Sequence, residues 1–118
     1  MKELLRKHTV SFKHAFDGLW WAVSTQPNFR VHLALSLIAV GLGFFFGISG
    51  VEWAIIIFTI VLGLTAELIN TAIESMTDLI TKEWRAEAKI AKDVSAGMML
   101  TVAIGAVIVA LVIFLPYL

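Results

Sequence analysis

The chain contains no cysteine in 118 residues. That removes disulfides, thiolate metal sites and a cysteine nucleophile. Charge is also scarce: 15% of residues are charged, and nine Lys and Arg balance nine Asp and Glu. A soluble domain usually carries about 25%. With no basic excess, a nucleic-acid binder is excluded. No GxxxxGK[ST] run occurs, so there is no Walker-type phosphate loop, and Gly41 and Gly43 sit in apolar sequence with no strand before them. His8, His14 and His32 lack metal-ligand spacing and read as interfacial, and no Ser/His/Asp arrangement points to a hydrolase. What the chain does have is apolar surface. Hydrophobic residues make up 59%, which excludes a disordered chain. So short a chain cannot bury that much in water. The composition is that of a membrane protein.

The charge-free runs locate the spans. Val31 to Val51 is 21 residues without Asp, Glu, Lys or Arg, and Val94 to Leu118 is 25. A helix crosses a bilayer in about 20 residues. Trp53 to Ala66 is too short alone, but the apolar pattern resumes past Glu67, which predicts one helix over about 52–79. The three spans are expected over about 29–49, 52–79 and 93–117 of a single 118-residue domain. Five of the nine Lys and Arg lie before the first span or, as Arg30, at its entry, four lie in 81–93, and the 48–52 hairpin has none. The positive-inside rule then puts the N-terminus and the 81–93 loop in the cytoplasm and the C-terminus outside. Trp53 and Tyr117 fall where an outer aromatic belt would lie.

Before the first span, Leu5, Phe12, Phe16, Leu19, Trp20 and Val23 recur at near-helical spacing among Lys2, Arg6, Lys13 and Asp17. This predicts an amphipathic interfacial helix over 1–26, ended by Pro27. The fold class is therefore an all-α membrane protein with one surface helix and three transmembrane helices. Gly43 and Gly47, and the row Gly97, Thr101 and Gly105, fit small-residue patterns that let membrane helices approach closely.

The informative residues are polar ones inside the second span. Glu67, Asn70, Thr71, Glu74 and Asp78 fall within an arc of roughly 100° on one helical face. A carboxylate at the bilayer centre costs at least about 2.5 kcal/mol, so three on one stripe need a shared reason. Glu67 lies about 22 Å along the helix from Glu52, in the cytoplasmic third of the hydrocarbon layer. Glu74 and Asp78 follow toward the headgroups. The stripe predicts a polar cleft open to the cytoplasm, suited to a substrate with an apolar tail and polar head. It also suits Mg²⁺, which takes one or two carboxylates plus phosphate oxygens. The alternative is a polar seam that only joins helices. Beyond the span, Glu83, Arg85, Glu87, Lys89, Lys92 and Asp93 alternate in sign. Asp93 is expected to cap a helix beginning near Val94.

The runs Ala66–Glu74 (AELINTAIE), Asp78 and Ala88–Gly97 (AKIAKDVSAG), with Asn28–His32 (NFRVH) before the first span, resemble the signature of the prokaryotic diacylglycerol kinase family, which includes the undecaprenol kinases. The resemblance covers essentially the whole chain. It implies a homotrimeric lipid kinase of the bacterial cytoplasmic membrane that uses ATP and Mg²⁺. By position it implies Glu67 as general base, Asn70 as an active-site polar residue and Glu74 as a metal ligand that also meets the nucleotide. Lys92 and Asp93 match the nucleotide-binding pair, and Glu83 falls near a nucleotide-contacting segment. One position departs. Where the family has a metal-holding glutamate this chain has Gln26, whose amide oxygen can ligate but brings no charge. The expected reaction is direct in-line transfer of a phosphoryl group from ATP to the hydroxyl of diacylglycerol or undecaprenol. Intramembrane carboxylates also serve proton-coupled transport, and Gln26 raises the further alternative of a catalytically weak, kinase-derived scaffold.

Overall fold

The computed structural model describes all 118 residues. Four helices follow one another: α1 over Lys2–Thr25, α2 over Pro27–Phe46, α3 over Gly50–Ile80 and α4 over Ala86–Phe114, with a 3₁₀ turn at Leu115–Tyr117. Three helices are long and apolar enough to cross a membrane: Pro27–Phe46, Gly50–Ile80 and Ala86–Tyr117. Only 12 of the 118 residues are buried, so the side chains facing outward, mostly Leu, Ile, Val and Phe, need lipid or another chain around them.

Single residues set the breaks. Gln26 alone separates α1 from α2, with extended backbone (φ −103°, ψ 105°), and Pro27 opens α2 at the first-turn position where a missing N–H is harmless. The surface helix thus ends one residue before the expected boundary at 26, and the link to α2 is one residue long. Gly47 ends α2 in the left-handed conformation (φ 63°) that glycine adopts without strain. It is therefore a helix stop and not a packing residue. Gly43 does pack: a Cβ there would stand 2.7 Å and 2.9 Å from Trp53 ring carbons. Ser49 opens α3 through a capping box, in which Glu52 N–H donates to Ser49 Oγ and Ser49 N–H donates to Glu52 Oε1.

α4 begins seven residues before the third span was expected to start. Arg85 is its N-cap position, so Asp93 lies two turns inside the helix and caps nothing. The reason is local. Residues 86–93 are mostly strong helix formers, and Lys89 pairs with Asp93 one turn on. The apolar run begins at Val94, but the helix extends beyond it to Ala86.

The molecule measures 49 × 47 × 22 Å. α3, at 31 residues, accounts for about 46 Å of one long dimension. A flat bundle of three such helices cannot supply the other, so α1 projects sideways. Ala22 is its one buried residue, and Phe12, Phe16 and Trp20 are uncovered, as suits a helix lying in a membrane interface. At the α2–α3 hairpin end, Ile48, Ile56, Ile113 and Phe114 form the apolar core, with Phe46 and Trp53 against it. Tyr117 Oη donates to Glu52 Oε1 at 2.6 Å, fastening the end of the chain to the start of α3. Thr101 and Gly105 line an open apolar groove of about 560 Å³ between α3 and α4.

Candidate active site

The buried positions of α3 are Ile56, Gly63, Ala66, Glu67 and Asn70. They lie on the same side of the helix, and that side changes from apolar to polar after Ala66. Glu67 is 4% exposed and Asn70 8%. A carboxylate there needs a partner, and one arrives from α2. His32 Nε2 stands 3.7 Å from Glu67 Oε2. Ser36 Oγ donates to the His32 carbonyl at 2.7 Å, and Gly63 faces the ring, where a Cβ would stand 3.9 Å from Nδ1.

Asn70 is tied to α4. Ser95, 2% exposed, donates from Oγ to Asn70 Oδ1 at 2.6 Å. That bond commits the amide oxygen and leaves the two Nδ2 donors to face elsewhere. No side-chain polar atom wholly shut off from the surface lacks a hydrogen-bond partner, so the Glu67 oxygens and Asn70 Nδ2, which accept or donate none, each keep some access. Further along, Lys92 Nζ donates to Asp78 Oδ1 at 2.7 Å across an exposed gap between the same two helices. Lys92 lies one turn before Ser95, so both look toward α3.

The antiparallel pairing of α2 and α3 sets levels. If His32 meets Glu67, Pro27 stands near residue 72. α3 then runs on for about eight residues, about 12 Å, past the level of the α1–α2 junction. Glu67 lies about one turn below that level, Glu74 just above it, and Asp78 with Lys92 one turn further out. Glu74 is exposed and makes no ion pair.

The structure thus brings Asn70, Asp78, Ser95 and Lys92 together along the α3–α4 seam and sets Glu67 against His32 of α2, with Glu74 on the same stretch of α3. The remaining candidates have only local contacts. Asp93 pairs with Lys89, and Glu83 pairs with Arg85 at 3.4 Å. Lys92 and Asp93 point in different directions, because neighbours on a helix are about 100° apart. Gln26 is half-buried, and its Nε2 donates to Thr25 Oγ1 at 3.2 Å, leaving the amide oxygen without a partner. No three His, Cys, Asp or Glu side chains cluster closely enough to hold an ion by themselves. Glu74 and the Gln26 amide are each oxygen donors of the kind Mg²⁺ takes alongside phosphate oxygens and water.

Two residues of this region were missed from the sequence. His32 was read as interfacial, yet it is the only titratable group in a 21-residue charge-free run, and that isolation was its signal. Ser95 carried none, being one small polar residue at the mouth of an apolar span.

Three spanning helices with a buried carboxylate and a charged, open end define a small multi-pass membrane protein whose polar chemistry is confined to one side. Between Glu52 and Glu67 α3 has no ionisable side chain, and the Ile56 cluster fills that stretch, so the chain shows no polar path from end to end. The sequence pattern of the prokaryotic diacylglycerol kinases matches residues 13–114. An undecaprenol kinase of Bacillus subtilis is 40% identical over 112 residues, covering 95% of this chain and 91% of its own length. A diacylglycerol kinase of Synechocystis is 38% identical over 108 residues, covering 91% of this chain and 62% of its own. One from Haemophilus influenzae is 32% identical over 83 residues, 70% of each chain. The chain belongs to the prokaryotic diacylglycerol kinase family and is a lipid kinase.

Proposed function

We propose that this protein transfers the γ-phosphoryl group of ATP to the hydroxyl of a membrane lipid, undecaprenol or diacylglycerol, in one in-line step. The lipid oxygen forms the new bond to phosphorus as the bond to the ADP oxygen breaks, and Glu67 takes the hydroxyl proton. The observation that carries this reading is the burial of Glu67 one turn beneath the α1–α2 junction, with the Asp78–Lys92 pair one to two turns further out. A lipid hydroxyl can reach the first while its tail stays in the membrane, and a soluble nucleotide can reach the second. Asn70, its oxygen held by Ser95, offers amide donors to a phosphoryl oxygen. Lys92 neutralises phosphate charge as a point cation, and Asp93 and Glu83 border the nucleotide. Glu74 and Gln26 would hold Mg²⁺, whose chemistry when bound would be to offset phosphate charge. The N-terminus and this end of the helices face the cytoplasm of a bacterial cell, and the C-terminus faces outward, in keeping with where Lys and Arg fall. The exposed apolar surface and the open groove at Thr101 and Gly105 suit assembly into a homotrimer.

The test is incubation of the purified protein in lipid vesicles with γ-labelled ATP, Mg²⁺ and a panel of lipid alcohols. Label in undecaprenol or diacylglycerol supports the reading and identifies the substrate. No label in any lipid overturns it, and ion flux in the same vesicles would then favour a transporter, silence in both a scaffold.

A further inference from the structure

Glu67 has two carboxylate oxygens and a single ionisable neighbour within ion-pair range. That neighbour comes from a different helix, 35 positions earlier in the sequence. A general base works through one oxygen aimed at the proton it removes. On a freely rotating carboxylate that aim is lost much of the time. Anything that engages the other oxygen restores it, as a second group does when it orients a ligand or a catalytic base.

We propose that His32 is a positioning residue for Glu67: its Nε2–H holds Oε2 and leaves Oε1 to face the lipid hydroxyl. This rests on the reading of Glu67 as the base. The geometry has three parts. The Nε2–Oε2 separation is 3.7 Å, so closing by under an ångström makes a charge-assisted hydrogen bond. The imidazole is half-buried between α2 and α3 over Gly63, so the ring has little freedom to leave. It also stands at one end of an apolar cavity of about 340 Å³ that runs along α2 past Leu35, Ala39 and Leu42 to Phe114. A histidine that merely filled space there would be replaced by leucine without loss.

The test compares His32→Leu, which keeps volume and removes the donor, with His32→Gln, whose amide N–H can take the place of Nε2–H. His32→Leu is expected to lower kcat about 10–100-fold, with KM for ATP unchanged within about twofold. His32→Gln is expected to keep kcat within about threefold of the parent, again an order-of-magnitude expectation from donor replacement. In a Glu67→Gln background, where the base is gone, His32→Leu is expected to lower the residual rate no further. Full kcat in His32→Leu, or an equal further loss in the Glu67→Gln background, overturns the proposal while leaving Glu67 as the base. Full activity of Glu67→Gln overturns the reading of the base itself. A measurement that needs no His32 variant is the ¹⁵N spectrum of histidine-labelled protein. A His32 Nε2 signal that moves in Glu67→Gln supports the pairing, and one indifferent to Glu67 overturns it.

Discussion

The two ends of the helix bundle use polar residues in opposite ways. At the hairpin end Glu52 Oε1 accepts two hydrogen bonds. It closes a capping box with Ser49 and accepts from Tyr117, beside rings of Phe46 and Trp53 and the Ile48–Phe114 cluster. Every polar group there serves to shut the structure. At the other end Glu67 keeps one partner at 3.7 Å, Asn70 keeps its amide donors uncommitted, and Glu74 has no ion pair. Polar groups that a folded chain leaves under-used are groups available to a ligand. The same helix, α3, carries both arrangements about 22 Å apart. An acidic side chain in a membrane protein is thus not by itself a sign of function: Glu52 is half-buried and its carboxylate accepts two hydrogen bonds, whereas Glu67 is buried and its carboxylate accepts none.

The contrast can be broken at either end. The largest effect is expected for Glu67→Gln. Phosphate transfer into lipid should fall by about 10²–10⁴-fold, while size-exclusion chromatography in detergent shows unchanged assembly. Next comes Glu74→Gln, for which transfer should fall at least about tenfold and recover in part as Mg²⁺ is raised. A rate independent of Mg²⁺ concentration would remove Glu74 from the metal. At the hairpin end, Gly43→Ala forces a Cβ into the Trp53 ring and should lower stability by about 1–3 kcal/mol. The thermal midpoint should drop while KM for ATP stays constant. Lys92→Ala should raise KM for ATP about 3–10-fold and leave the thermal midpoint nearly unmoved, since the Asp78–Lys92 pair is exposed. Smallest is Tyr117→Phe, which should lower the midpoint by less than Gly43→Ala and leave transfer untouched. A large loss of activity from Tyr117→Phe would mean that the two ends are coupled.

How much of this was legible in advance depended on whether the signal was periodic. The stripe Glu67, Asn70, Thr71, Glu74 and Asp78 could be placed on one face because a helix fixes the angle between residues. Its grading from deep Glu67 to shallow Glu74 and Asp78 followed from the rise per residue, but the groups that cover Glu67 and Asn70 did not, because they come from α2 and α4. Asp93 was misjudged as a cap because the edge of an apolar run marks where water begins, while the helix continues to Ala86. Gly47 was misjudged as a packing residue because the spacing that suits close helix contact also allows a helix stop.

The sequence by itself determined that the chain sits in a membrane, that it has three spans and a surface helix, and that acidic groups crowd one side. Each follows from composition or from the 3.6-residue period, which are local properties. Only the tertiary structure decided that His32 meets Glu67, that Ser95 holds Asn70, that Lys92 and not Asp93 faces α3, and that Glu52 is closed off by Tyr117. Those pairings join residues 14 to 65 positions apart in the sequence, and helix crossing and register bring them together. A linear pattern holds no record of either, because both are settled by how side chains pack once the helices lie side by side.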